Sequence, residues 1–410
     1  MIPTPRKDRT IVVNFASKSK YNEIVENRSW FRSYLEQSYF LTPEIFPPFF
    51  EDGFRFHGTI CSKKQQLCTR RILLKATGEV YQIRPSFVLP YMTAMTDKIS
   101  DILLLRLWSV PFWMLARLGG RDHMFWWRIY VSLGRFSLVG TTVKKPEKWP
   151  AHPLADEKHT RWKKQKVFVP TTVANNCFLG AAVTKSASED DLAEGYGVFR
   201  DEAVAIDPHY RPKTVTTDGW EALQNAWRRL FDGIVVILCF LHSWLKIKRR
   251  CKRDNGLLQK IGEKVWHVYR SERVAVFSQR IRRLKEWAVV TVKIENVRKQ
   301  IEKLCNKSEE LKRAYKYEGA PRTSNGLDRL MDYQDRQLYS MRYLRGSEET
   351  IQLAVRSMAL LWNFHPYDGG AGFSPFAHLN GMYYHDDWLQ NMMIAASLQR
   401  KTTSHKKRYD

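Results

Sequence analysis

The sequence has no apolar run long enough to cross a membrane. Its most apolar stretches, residues 103–118 and 234–245, contain Arg, Ser or His, and both are shorter than the roughly 20 residues that a spanning helix needs. The N-terminus, MIPTPRKDRT, lacks the apolar core of a secretion signal. We therefore expect a protein without a membrane segment, located in the cytoplasm.

Cysteine is also scarce, with six scattered over 410 residues. Such spacing predicts no disulfide framework and favours a reducing compartment. His57, Cys61 and Cys68 form an H-x3-C-x6-C arrangement, but a structural zinc site needs four ligands and no fourth is evident. Cysteines in the core or on the surface are therefore favoured over zinc ligands, and zinc binding stays open.

Negative charge is in short supply. Lys and Arg number 67 against 42 Asp and Glu, which gives a formal charge of +25. An excess of this size attracts a polyanion, because neutralised phosphates release their counterions. The alternative is a basic surface that binds nothing. With 44% hydrophobic and 13% aromatic residues, the chain can bury a core, and its length suggests two to four domains.

Residues 1–145 contain two predicted regions. Residues 1–84 are expected to be mixed, with a helix near 30–40 and a β-hairpin formed by 70–75 and 79–83. Residues 85–145 are expected to be helical. There, two helices flank Gly119-Gly120-Arg121, and Asp122 caps the second helix. This pattern is typical of a DNA-binding helix-turn-helix, with Arg121 and Arg128 as DNA contacts, although an ordinary helical hairpin fits it too.

From residue 150 onward the pattern predicts an α/β core with a mixed sheet. Residues 150–243 alternate strands and helices and form the first part of the core. Residues 244–316 are basic and helical, as an inserted domain would be, and 317–364 complete the core with further helices. Residues 365–410 are assigned to a C-terminal tail, whose last ten residues are polar.

Three carboxylates have suggestive positions. Asp156 belongs to a strand with an acidic end, Asp218 ends the predicted strand 214–217, and Asp328 lies near the start of a predicted helix. Phosphoryl transfer is often catalysed by two metal ions about 4 Å apart, and carboxylate oxygens suit Mg²⁺. An Asp that ends a strand is more often a turn residue, so context alone does not make these acids catalytic.

The combination of motifs is more specific than any one of them. Val215-Thr216-Thr217-Asp218-Gly219-Trp220, Cys239-Phe240-Leu241-His242 and Thr323-Ser324-Asn325-Gly326-Leu327-Asp328-Arg329 resemble the core of bacterial insertion-sequence transposases related to the Mutator-like group. The resemblance covers about residues 150–364. It implies a DDE, ribonuclease-H-like fold, a Cys-x-x-His motif on the strand after the second acid, and a helical insertion before the third acid. The third acid typically follows an Asn by three positions, as Asp328 follows Asn325.

This resemblance assigns the residues of the site. Asp156, Asp218 and Asp328 would be the catalytic acids and would bind Mg²⁺, with Mn²⁺ able to substitute. The third acid of the family is usually Glu, so Glu318 and Asp332 are fallback candidates. Cys239 and His242 are interpreted as a buried cysteine and a histidine that orders the active site, or else as half of a zinc site. Asn325 is a supporting residue, and Arg322 and Arg329 suit phosphate contacts.

The function implied is that of a DNA transposase, which cuts transposon ends and joins them to target DNA. The expected partner is double-stranded DNA, bound by a homodimer or higher multimer, and the expected location is the bacterial nucleoid. Two alternatives remain: a metal-dependent nuclease of the same fold, and a domesticated DNA-binding protein without catalysis.

Overall fold

A computed structural model describes residues 8–63, 65–90, 92, 95–251 and 254–400. The chain is a mixed α/β protein with two mixed sheets surrounded by helices. None of the described helices combines the length and apolar character that crossing a bilayer requires. The predicted α/β class is therefore confirmed.

The N-terminal part is built on a four-stranded sheet in the order β1-β4-β3-β2. Its strands are β1 (Thr10–Val13), β2 (Phe54–Ser62), β3 (Leu67–Leu74) and β4 (Val80–Pro85), with helices α1 (Lys18–Glu26) and α2 (Arg28–Leu41) between the first two. The antiparallel pairing of β3 with β4 confirms the predicted hairpin. The expectation of unpaired cysteines is wrong, because Cys61 and Cys68 face each other across β2 and β3 and form a disulfide.

The next segment is helical, as predicted. It contains α3 (Ser100–Leu104), α4 (Phe112–Gly119), α5 (His123–Leu133) and α6 (Leu138–Thr142). Gly120 ends α4 in the left-handed region, with φ of 64°, where glycine is favoured. The Asp122 side chain accepts a hydrogen bond from the Met124 backbone N–H and so caps α5. Two helices joined by a short turn result.

A five-stranded sheet has the order β7-β6-β5-β8-β9. Its strands are β5 (Leu154–Trp162), β6 (Gln165–Ala174), β7 (Cys177–Ala181), β8 (Thr214–Thr217) and β9 (Val235–Leu238). Strands β5, β6 and β7 are an antiparallel meander, whereas β8 and β9 run parallel to β5. The β6–β7 turn uses Asn175 and Asn176 at positive φ, as tight hairpins require.

Helices cover both faces of this sheet. On one face, α7 (Glu189–Ile206) and α8 (Glu221–Leu230) bury a core that includes Ala155 and Val215. On the other face, α14 (Asn325–Ser340) and α15 (Glu348–Phe364) pack in a second core that includes Leu154. Because side chains alternate along a strand, neighbouring residues of β5 face different helices.

Between β9 and α14 the chain forms a helical unit with its own core. Its helices are α9 (Phe240–Arg250), α10 (Asn255–Tyr269), α11 (Val274–Thr291), α12 (Glu295–Asn306) and α13 (Ser308–Lys312). The stretch predicted to be helical, 244–316, is helical through most of its described length. The first helix of this unit, α9, begins at Phe240, before the predicted start at residue 244 and shortly after β9 ends at Leu238.

The C-terminal residues pack into the core of the protein. Helices α16 (Pro375–Asn380) and α17 (Trp388–Ala395) follow α15, and Met392 and Met393 of α17 are fully buried. The Ser397 hydroxyl accepts a hydrogen bond from the Val12 backbone N–H, and the Leu398 N–H donates to the Thr10 carbonyl. Helix α17 and residues 397–398 of the predicted tail therefore pack against β1. Residues 401–410 lie outside the described residues.

Candidate functional site

Three chain segments bring the predicted acids to one place. Leu154 of β5 is paired in parallel with Thr216 of β8, so Asp156 and Asp218, each two residues further on, lie at the same level of the sheet. Asp156 is opposite Thr171, whose hydroxyl lies 3.4 Å from the Gln334 amide oxygen of α14. Asp156 therefore projects toward α14, and this helix carries Asp328 in its first turn.

The electrostatics show that these acids are neighbours. The pKa of Asp156 is raised to about 6, with burial as the largest cause; the positive charge of His242 opposes this rise, and the negative charges of Asp218 and Asp328 contribute to it. Burial also raises the pKa of Asp328, an effect that His242 and Ser324 oppose. Like charges held together in a partly buried site resist ionisation, and a cation placed among them would relieve this repulsion.

Cys239 and His242 connect the sheet to the helix that carries Asp328. Cys239 is the N-cap residue of α9 and His242 lies in its first turn, so the expected strand location of this motif is wrong. The Ser324 N–H donates to the Cys239 sulfur at 3.1 Å, and the Ser324 hydroxyl donates to Asp328 Oδ1 at 3.3 Å. His242 Nε2 lies 3.9 Å from Asp156 Oδ2. The motif thus contacts the carboxylates directly and through Ser324.

The surroundings of His242 favour its protonated form. Burial by itself would lower the pKa of His242, but the hydrogen bond and charge of Cys239 and the charges of Asp156 and Asp218 raise it to about 9. Burial would likewise raise the pKa of the Cys239 thiol, but the hydrogen bond and charge of His242 lower it. This pairing agrees with a histidine that orders the site. In the described part of the chain, no three His, Cys, Asp or Glu side chains are already grouped as metal ligands.

Glu157 is a fourth acid, which the sequence reasoning missed. It follows Asp156 on β5 and so faces the opposite side of the sheet, under α7. Burial, followed by the charges of Asp156 and Asp218, raises its pKa to about 8. Its Oε2 atom is buried, with no hydrogen-bond partner among the described residues. The signal for it was the pair of adjacent acids, since strand alternation sends one acid to each face.

Backbone contacts fix the loop that precedes Asp328. The Phe240 N–H donates to the Arg322 carbonyl at 3.0 Å, and the Thr216 hydroxyl donates to the Pro321 carbonyl at 2.8 Å. The loop is therefore attached both to β8 and to the start of α9. Asp218 also has a turn role, because its Oδ1 accepts the Trp220 N–H at 2.8 Å. The positions of Asp218 and Asp328 are thus set by the same part of the sheet.

The remaining predicted residues near Asp328 have different surroundings. Arg322 is partly buried, and its guanidinium donates to the Ser271 carbonyl at 2.9 Å and to the Tyr315 hydroxyl at 2.8 Å. It therefore holds the helical unit in place. Asn325 and Arg329 are exposed on α14. Of the two fallback acids, Asp332 acts on the pKa of Asp328, whereas Glu318 is exposed in the preceding loop.

The predicted DNA contacts of the first half lie at the start of α5. Arg121 is exposed, with its guanidinium 5.6 Å from the centre of the Phe125 ring. Arg128 is exposed as well, and its Nε donates to the Met124 carbonyl at 3.1 Å. Neither arginine forms a described ion pair, so both remain available to an anionic partner.

Comparison with known proteins gives no family assignment. No protein-family model matches the chain, and no curated protein sequence matches it.

Proposed function

We propose that this protein is a DNA transposase of the DDE type, here with three aspartates, and that its core has the ribonuclease-H-like fold. One observation carries the proposal: Asp156, Asp218 and Asp328 come from two parallel strand segments and a facing helix, and the charges of Asp218 and Asp328 raise the pKa of Asp156. A mixed sheet with helices on both faces, and a helical unit inserted before the third acid, agree with the resemblance in the motifs.

The donor set fits a divalent metal ion. Asp156, Asp218 and Asp328 offer hard oxygen ligands in a partly buried place, and burial together with mutual repulsion raises the pKa of Asp156. These residues would hold Mg²⁺ or Mn²⁺, which when bound activates the attacking oxygen and stabilises the leaving oxygen at the scissile phosphate. The positive charge of His242 lowers the pKa of Asp156 and so favours its ionised form, and the Ser324 hydroxyl donates a hydrogen bond to Asp328.

The DNA partner is supported by charge and by the helix pair α4–α5. A net charge of +25 suits phosphate contacts. In our proposal α5 enters the major groove and presents Arg121 and Arg128 to DNA, while Arg329 contacts phosphate beside the site. We further propose that the protein acts on double-stranded transposon ends and target DNA as a dimer or higher multimer, at the bacterial nucleoid.

The test is cleavage and strand transfer on DNA that carries the element's own ends, with Mg²⁺ or Mn²⁺. The wild type is compared with Asp218→Asn and with Asp232→Asn, an exposed acid in the turn before β9. Metal-dependent joined products that disappear only in Asp218→Asn support a transposase.

Each other outcome identifies a rival function. Cleavage without joining of pre-cut ends indicates a nuclease. DNA binding without products from any variant indicates a domesticated binding protein, and both results overturn the proposal.

A further inference from the structure

A cavity of about 890 Å³ lies between the helix pair α4–α5 and the segment that follows α14. A volume of several hundred cubic ångström is typical of small-molecule sites, and it is ample for one nucleotide. The walls combine aromatic rings and arginines: Trp113, Trp127, Tyr343, Arg106, Arg342 and Arg345. The three acids of the candidate active site do not line it.

The aromatic rings of this cavity are open to solvent. Trp113 is 59% exposed and Tyr343 is 42% exposed. Trp127 is fixed behind them, edge-on to Phe112 with ring centres 5.2 Å apart. Exposed rings at a concave, basic surface offer stacking platforms for nucleobases.

The cavity is also lined by a buried arginine that has no carboxylate partner among the described residues. Arg106 is fully buried; its guanidinium hydrogen-bonds to neutral groups of Val110, Gln337 and Ser340 and lies over the rings of Phe112 and Tyr130. Its Nε atom is buried, with no hydrogen-bond partner among the described residues. A buried cation that lacks a carboxylate is costly. An anionic ligand in the cavity would offset this cost, and exposed Arg342 and Arg345 add to the attraction.

The rim of the cavity is strained and is linked to the candidate active site. Arg342 and Tyr343 have consecutive positive φ values of 51° and 71°, which non-glycine residues rarely adopt and which concentrate at functional sites. These residues directly follow α14, which carries Asp328, and the next residue, Leu344, donates its N–H to the Arg161 carbonyl of β5 at 3.0 Å. Strand β5 carries Asp156.

We propose that this cavity binds one unpaired nucleotide of a DNA strand. The base stacks on Trp113 and Tyr343, and the phosphate lies against Arg342 and Arg345, in the field of buried Arg106. The inference rests on the proposed action on DNA, because a protein that acts on DNA strands brings nucleotides close to this surface. It adds a recognition site for single-stranded DNA that is separate from the helix pair and the acids.

The experiment measures binding of a fluorescent single-stranded DNA dodecamer by the full chain, beside a strand of the same length that lacks all bases. Trp113→Ala should weaken binding of the normal strand about 5- to 100-fold, as expected for loss of base stacking, and should leave binding of the base-free strand unchanged. Arg342→Ala should weaken binding of both strands, because it removes a phosphate contact. Matched controls are Trp30→Ala, 55% exposed on α2, and Arg55→Ala, exposed on β2.

Equal binding of the normal strand by Trp113→Ala and Trp30→Ala would overturn the inference. So would an equal loss on the base-free strand, since stacking would then not be the cause. Asp232→Asn, at an exposed acid outside both sites, should bind the dodecamer like the wild type. If the protein does not cleave DNA but Trp113→Ala still weakens binding of the normal strand, the transposase proposal is rejected and the nucleotide site is retained. If the protein cleaves DNA but Trp113→Ala binds the normal strand as well as the wild type does, only the nucleotide site is rejected.

Discussion

Replacing Asp156 by Asn should stabilise the protein at neutral pH while it abolishes metal-dependent chemistry. Burial and the charges of Asp218 and Asp328 raise the pKa of Asp156 from 3.8 to about 6. Ionised Asp156 is therefore less favourable in the folded protein than in the unfolded chain. Asn has the same shape, stays neutral, and its side-chain oxygen can still accept the Glu157 N–H that Asp156 accepts at 2.8 Å.

The magnitude and the pH window follow from the two pKa values. Between about pH 4 and 6 the folded state binds more protons than the unfolded state, so the wild type loses stability as the pH rises. Above pH 6 the loss of unfolding free energy levels off at about 3 kcal/mol. This value corresponds to the difference of about two between the pKa of Asp156 in the folded protein and in the unfolded chain. The Asn variant lacks this loss. Its advantage should be near zero at pH 4 and reach a plateau above pH 7.

Urea unfolding from pH 4.5 to 8.5 in the presence of EDTA measures this difference. Asp232→Asn is the matched control, because Asp232 is exposed in a turn and its removal should change the free energy of unfolding by less than about 0.5 kcal/mol. The reasoning is refuted if Asp156→Asn is no more stable than the wild type at pH 7.5. It is also refuted if the gain is the same at pH 4.5 and pH 7.5.

Three further changes test other parts of the structure. Arg356→Met removes the guanidinium that lies 2.6 Å from buried Glu202, and should lower the free energy of unfolding by about 3–5 kcal/mol in urea titrations; a loss below 1 kcal/mol would contradict this. Cys61→Ser opens the β2–β3 disulfide and should cost about 2 kcal/mol, with DNA cleavage rates kept. His242→Gln removes a charge that lowers the pKa of Asp156, so the acid limb of the cleavage pH profile should move upward by about one unit.

Local signals in the sequence predicted the alternating strands and helices of residues 150–243 and the strand 214–217, which is β8. Such signals depend on neighbouring residues alone. Asp218 was placed correctly after β8 for the same reason. These local signals do not show which distant strands pair with each other, as β1 pairs in parallel with β4.

Contacts between residues far apart in the chain account for the rest. The disulfide depends on the register of β2 against β3, which sets Cys61 opposite Cys68. The packing of α17 beneath β1 joins residues at the two ends of the described chain. The position of the Cys-x-x-His motif at the start of α9 was missed, because a helix that begins directly after a strand cannot be recognised within one apolar run. These features depend on tertiary geometry, which the periodicity of one segment does not contain.

Strand alternation and electrostatics together explain why the acids at β5 support a catalytic proposal. Asp156 projects to the α14 face and Glu157 to the α7 face, yet burial raises the pKa of both carboxyls, to about 6 and about 8. A protein that only binds DNA gains nothing from two such carboxyls, since neutral residues there would be more stable. Perturbed acids in one place are the pattern expected where stability is given up for function. Because Asp156 also has two further acids beside it, the proposed cation-binding role accounts for a carboxylate at this position, while the raised pKa of Glu157 favours its neutral form.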